Sequence, residues 1–351
     1  MVYIINACLI VFWQLLIPER NKSKKKLLCI LYCIQWILIS GLRDLSVGPD
    51  TLAYKHDFDK VWNNSWGHWF NVFRDYLHGV EGIKDPGYNL FVKGLQIFIG
   101  KSYTLYLLLI ACIFTIPMTI WIYKYSDNPC LSFLIYSALF YSFFAITGIR
   151  QTIATALVVF GGYACVKKKK YFFLLLLHLV AFFIHKSSIC FVVFYMVPLI
   201  KKIDWKFWTI SIVILLLSWL FRGQLMRFFG TTMGYENYIE QFEGAETGTF
   251  TFFMLIILGA TMFLYPFTNK DNVVRDMVMG LVLAFFFIPL TYIDPSAMRI
   301  VQYFSIFILL LVPCLIKTLN EQTQLIANSV CYIILIAYLV LLNPQYTFVF
   351  M

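Results

Sequence analysis

The sequence predicts an all-α polytopic membrane protein with about twelve transmembrane helices. Three observations predict this class. Of 351 residues, 61% are hydrophobic and 13% are charged, whereas soluble domains are about half apolar and about a quarter charged. Mean hydropathy is +0.77. The apolar residues also fall in long runs near the roughly 20 residues that a spanning helix needs. The formal charge of +10 comes from 20 Lys and 8 Arg against 18 acidic residues. A basic excess points to nucleic acid only when it is gathered on a polar domain. No such domain exists in this sequence, so no nucleic-acid partner is expected.

Spans are expected, in order, over residues 2–17, 27–41, 102–123, 131–147, 151–166, 171–184, 188–200, 207–221, 250–267, 277–293, 300–316 and 325–342. A further run, 88–99, carries Lys93, Gly94 and Gln96 and reads as an amphipathic or re-entrant helix in the interface. The first run begins apolar and meets its basic cluster only at Arg20, the reverse of a signal peptide. Residues 1–351 therefore read as one integral membrane domain with two long extracytoplasmic loops, 42–101 and 222–249. The first holds His56, His68 and His78 with Trp62, Trp66 and Trp69, and the second Glu236, Glu240, Glu243 and Glu246.

Lysine-rich loops stay in the cytoplasm. With twelve spans, the clusters at 22–26, 167–170 and 201–206 share one side, which carries 14 Lys and 2 Arg against 6 Lys and 6 Arg on the other. Both termini are then outside. Counting 88–99 as a span would throw the later clusters outward, so it is read as non-spanning. The nine cysteines lie in or beside apolar runs without a Cys-x-x-Cys pair and read as packing residues. No internal repeat is visible, which weakens a transporter built from inverted repeats. No cofactor or metal is assigned.

Three apolar stretches are broken by polar apices. Residues 171–200 would make a helix of about 45 Å, too long for a core of about 30 Å, and they carry His185-Lys186-Ser187-Ser188 at their middle. A hairpin resolves the length, and its arms, each rising only about 20 Å, leave the apex recessed below the outer surface. Gly148-Ile149-Arg150-Gln151 breaks 131–166, and residues 294–299, ending in Arg299, break 277–316. Ionisable groups at membrane depth are costly and line cavities or pair with each other. The expected result is an outward-facing cationic pocket of Arg150, His185, Lys186 and Arg299. Taken singly, each has a plainer reading: an arginine or lysine that snorkels to the headgroups, or a histidine held in a serine-rich turn. In the first loop, Gly48-Pro49 signals a turn, and Asp50 or Thr51 is expected to cap a helix through Tyr54 and Phe58. That would hold Arg43 and Asp50 over the pocket.

At these residues the chain resembles the EpsG family of Wzy-like polysaccharide polymerases. The matching pieces are Arg43 followed by Val47-Gly48-Pro49-Asp50-Thr51 and Tyr54; Asp85-Pro86-Gly87-Tyr88; Ile149-Arg150-Gln151 with Ala154; residues 181–188 around His185; and Arg299 with Tyr303 and Pro313. The resemblance implies a GT-C-like glycosyltransferase acting on undecaprenyl-diphosphate-linked repeat units at the outer face of a bacterial cytoplasmic membrane. Its products would be surface polysaccharides of the O-antigen, capsule or exopolysaccharide kind. A chain-length regulator and a flippase would be candidate protein partners beside the membrane lipid.

The pocket suits such chemistry. Arginine is always charged and grips phosphate bidentately, so Arg150 and Arg299 suit the leaving diphosphate. His185 or Asp50 suits the acceptor's proton, and Arg43, Tyr54, Gln151, Lys186 and Tyr303 suit substrate binding. A lipid-linked oligosaccharide flippase would also want a cationic cavity, but lined along its whole path and with short loops. A membrane acyltransferase would want its histidine reachable from the inner face.

Overall fold

The computed structural model describes residues 1–18, 21–233 and 248–350; Arg20 and the four glutamates of the second loop lie outside them. Among the described residues there are helices and no strand, with one isolated bridge between Arg43 and Phe348. Each of the twelve expected runs is helical. Five helices are long and apolar enough to cross a membrane: Tyr103–Tyr125, Ile149–Lys167, Gly248–Phe267, Asn272–Tyr292 and Glu321–Leu342. The number is seven if two bent pairs count as one span each, Trp205–Leu220 with Arg222–Gly230 (76°) and Pro295–Ser305 with Ile308–Ile316 (51°). Val2–Leu16, Pro129–Phe140, Tyr171–Ile184 and Lys186–Leu199 are shorter apolar helices. The chain is thus a multi-pass membrane protein. Its outward faces agree: the first helix, α1 (Val2–Leu16), buries Tyr3, Ala7 and Ile10 yet exposes Ile5, Leu9, Phe12 and Leu16. Apolar side chains on both faces leave lipid as the solvent.

The chain divides into two compact units: Met1–Lys124, Pro129–Ser188 and Ser329–Met351 form the first, and Tyr125–Asn128 and Ile189–Asn328 the second. In the first, α2 (Lys22–Gly41) starts where Asn21 Oδ1 accepts the Lys24 N–H at 2.9 Å. Residues 42–101, expected as a long loop with a helix from residue 50 or 51 and an amphipathic helix over 88–99, form three helices: α3 (Thr51–Asn63), α4 (Trp66–Leu77) and α5 (Pro86–Ile99). Helix α3 begins where expected, but the Asp50 carboxylate makes no capping bond, and the Thr51 hydroxyl turns back to the Val47 carbonyl. The polar residues of 88–99 have a structural use. Lys93 donates to the Val61 and Trp62 carbonyls at 3.1 and 3.0 Å, which are orphan acceptors in the last turn of α3, and Gln96 adds a bond to the Phe58 carbonyl one turn earlier at 2.8 Å. At about 21 Å, α5 is too short to cross, and its buried face is Tyr88, Val92 and Gln96. Trp69 is buried, donating to the Val61 carbonyl at 3.3 Å.

These three helices are welded to the rest of the unit by one apolar cluster. Phe58, Val61, Trp69, Tyr88 and Val92 pack with Tyr106 and Ile110 of α6 (Tyr103–Tyr125), Ile149 and Ile153 of α8 and Ile184 of α10. After α7 (Pro129–Ile135) and the π-helical turns Tyr136–Phe140 and Ser142–Ile146, the chain breaks at Thr147-Gly148. It resumes as α8 (Ile149–Thr155), a π stretch Ala156–Gly161 and α9 (Gly162–Lys167). Then α10 (Tyr171–Ile184) stops at His185, which is extended (φ −155°, ψ 105°), and the chain continues as a 3-10 helix over Lys186–Leu199.

In the second unit, α11 (Trp205–Leu220) and α12 (Arg222–Met233) precede α13 (Gly248–Leu264). Residues 222–233, expected as loop, are therefore helical. The packed centre is α14 (Asn272–Phe287) against α15 (Met298–Ser305) and α16 (Ile308–Ile316), with Phe287 stacked on Phe304 at 5.4 Å. A Cβ on Gly280 would stand 2.7 Å from Phe307, so only glycine permits that approach. Helix α17 (Glu321–Leu342) begins in this unit, and from Ser329 on it belongs to the first.

Candidate functional site

The site stands where α8 and α10 lose helical geometry beside α3 and α5. Gly148 opens α8 in the left-handed region (φ +60°), which glycine adopts without strain. The carbonyls just before it are taken up by α2. Arg43 donates to the Ser40 carbonyl, to Ala145 O at 3.0 Å and to Ile146 O at 3.2 Å, while Ser40 Oγ donates to Ala145 O at 2.8 Å. Helix ends leave such acceptors unpaired, and buried Arg43 supplies the donors. Residues 42–49 pack tightly on the same break: a Cβ on Gly48 (φ +88°) would stand 2.3 Å from Ile146. The chain's last stretch adds a second hold, with Asp44 N–H on Thr347 O and Val349 N–H on Leu42 O, both at 2.9 Å, and Tyr346 OH on Ile39 O at 2.7 Å.

Arg150, in the first turn of α8, reaches two carboxylates, Asp57 of α3 at 3.1 Å and Asp85 at 3.4 Å. Its guanidinium lies over the Tyr88 ring, 4.7 Å from the centroid, and Tyr88 and Tyr106 share a hydroxyl hydrogen bond of 2.7 Å. Asp85 Oδ2 also meets His185 Nδ1 at 3.3 Å, and its Oδ1 accepts the Lys186 N–H at 3.0 Å. Burial would raise the Asp85 carboxyl, but His185, the Arg150 charge and the Lys186 N–H outweigh it and hold the group below the ordinary aspartate range. His185 Nε2 and Arg150 Nε are buried and have no hydrogen-bond partner among the described residues. Helices α5 and α10 meet closely because residue 87 is glycine; a Cβ there would stand 2.7 Å from Phe183 Cβ and 2.9 Å from its backbone.

Of the expected residues, Arg150, His185 and Lys186 come together, Lys186 through its backbone. Tyr54 joins by its ring, 6.1 Å from that of Tyr88. Gln151 is buried beside Arg150 in α8. Arg43 is placed behind the site on backbone carbonyls. Asp50 sits at the start of α3, about 10 Å along the axis from Asp57, the α3 carboxylate that reaches Arg150. Arg299 and Tyr303 lie on α15 of the second unit, Tyr303 fully buried near Phe191. Sequence reasoning gave no role to Asp85 or Asp57. Asp57-Phe58-Asp59 is an Asp-x-Asp tripeptide, but its carboxylates engage separate cations, Asp57 with Arg150 and Asp59 with Lys55. Among the described residues no His, Cys, Asp and Glu cluster is arranged for a metal. An apolar cavity of about 740 Å³ lies in the second unit, lined by Phe207, Leu215, Met262 and Phe286 with Lys202 and Lys206, and contains none of the charged cluster.

The EpsG family profile matches residues 25–348. The chain belongs to the EpsG family. EpsG proteins are a family of Wzy-like polysaccharide polymerases, and the match covers every residue of the cluster as well as Arg43, Asp50, Arg299 and Tyr303. No curated protein and no solved structure matches the chain. EpsG membership and the apolar helices together assign the protein to polysaccharide biosynthesis in a membrane.

Proposed function

We propose that this EpsG protein polymerises lipid-diphosphate-linked oligosaccharide repeat units, undecaprenyl diphosphate being the expected carrier, at the outer face of a bacterial cytoplasmic membrane. The proposal includes twelve membrane crossings in a GT-C-like arrangement. The observation that carries it is a buried imidazole, its Nε2 without a hydrogen-bond partner among the described residues, beside an arginine at the broken ends of two apolar helices. In the transfer, His185 Nε2 takes the proton of the acceptor hydroxyl. That oxygen forms the new bond to the anomeric carbon as the carbon–oxygen bond to the diphosphate breaks, and the electron pair leaves with the diphosphate. Arg150 neutralises the developing charge; Arg299, read from the sequence as a second such cation, lies on α15 of the second unit. Asp50 is the other candidate base. Tyr54, partly exposed, offers a ring for sugar, and a chain-length regulator and flippase would act beside the enzyme.

Deleting the protein and resolving the surface polysaccharide on a gel tests this reading. Loss of the polymerase should leave single repeat units outside the cell. A surface with no repeat units at all would favour the flippase reading instead.

A further inference from the structure

Asp85 occupies the N-cap position of α5, where an aspartate ordinarily accepts N–H groups of its own helix. It makes no such bond. Its backbone is left-handed (φ +49°), an uncommon state for a residue other than glycine, and its side chain, 10% exposed, is spent across the fold. One oxygen meets both Arg150 and His185; the other takes the Lys186 N–H, which fixes the carboxylate's plane. His185 is itself held in place, its N–H on the Ala181 carbonyl at 2.8 Å and its side chain 4% exposed.

We infer that Asp85 is the positioning residue of this site: it holds the His185 imidazole by Nδ1–H, so that Nε2 carries the free lone pair and becomes the proton acceptor. The inference rests on the polymerase reading and deepens it. A neutral imidazole has one donor and one acceptor nitrogen, and the partner of one decides the role of the other. A carboxylate facing Nδ1 keeps the proton there and balances the imidazolium that forms during transfer. Asp85 remains ionised at neutral pH, as its depressed titration requires. The other groups around it do not replace it. Arg150 on α8 and the Lys186 backbone offer only donors, Asp57 on α3 is engaged by Arg150, Tyr76 of α4 is raised by burial and by the Asp85 charge, Tyr54 and Tyr88 are phenols, and Lys84 flanks Asp85 in sequence.

The test uses the purified full-length protein and a lipid-linked repeat unit. Wild-type protein must first extend it; no transfer by wild type defeats the polymerase reading itself. Given transfer, Asp85→Asn should lower kcat at least about a hundred-fold without raising the KM for the lipid donor. Asp85→Glu should recover part of kcat. An Asp85→Asn enzyme with unchanged kcat overturns the inference, as does a rise in KM alone. Nitrogen-15 spectra of wild type, with His185 assigned by subtraction of His185→Gln, give a readout independent of whether the Asp85 variants fold. A neutral His185 protonated at Nδ1 is expected, and protonation at Nε2 would overturn the inference.

Discussion

Arg150 is held by two carboxylates and a tyrosine face, so its charge is already balanced before any substrate arrives. A diphosphate must compete for it, and a fork of fixed donors competes better than a point charge. Arg150→Ala should abolish polymer while the protein still reaches the membrane, since losing one member of a hydrogen-bonded charge set costs about 2–5 kcal/mol, and Arg299→Ala should do the same if its guanidinium meets the diphosphate. Lysine should rescue poorly at either position, and normal polymer length in both lysine variants would reject diphosphate clamping. The base is separable by mutation. If it is His185, then His185→Gln binds the donor but does not transfer. The contribution of Asp85 sets a separate acidic limit: its folded titration is depressed, so that contribution is fully present above the ordinary aspartate range and is lost only as pH falls through and below that range. If the base is Asp50, Asp50→Asn shows the loss instead and His185→Gln stays partly active. Transfer by both variants across pH 5 to 9 decides.

Helix α5 sets the geometry of the cluster because it carries Asp85 at its start and Gly87 against α10. Gly87→Ala must push Phe183 and its backbone away, and overpacking of this kind costs about 1–3 kcal/mol. Transfer should fall with thermal stability. Gly94→Ala, on the same helix with nothing within 4 Å, is the control and should be neutral or slightly stabilising. Helix α3 acts through Asp57, which is more exposed than Asp85. Asp57→Asn should leave Arg150 freer and lower the KM for the lipid donor several-fold, matching the ~1 kcal/mol of a partly exposed pair. A raised KM would show that Asp57 helps binding instead of restraining it.

Across the molecule, lysine and arginine separate by side only if the expected topology holds, and that topology places His185 outward. A cysteine introduced at Lys186 in a background lacking the nine native cysteines should react with an impermeant maleimide in intact cells. Labelling only after permeabilisation would put the cluster on the inner side and defeat outer-face polymerisation. The last residues of the chain matter to the same unit, since Tyr346, Thr347 and Val349 brace the end of α2 from which Arg43 reaches the α8 break.

Helical membrane character was readable from the sequence because hydrophobicity acts locally: each run must satisfy its own backbone in lipid whatever its neighbours do. The polar interruptions at Arg150 and His185 were readable for the same reason, as their cost does not depend on partners. Pairing is different. Asp85 lies 65 positions from Arg150 and 100 from His185, and nothing in its local pattern distinguishes it from a helix cap. Arg43 reads as a substrate-binding cation held over the pocket until the fold shows the orphan carbonyls of 145–146 that it serves. Which carboxylate meets which cation follows from which helix ends are packed together, and that is set by distant contacts such as Gly87 on Phe183.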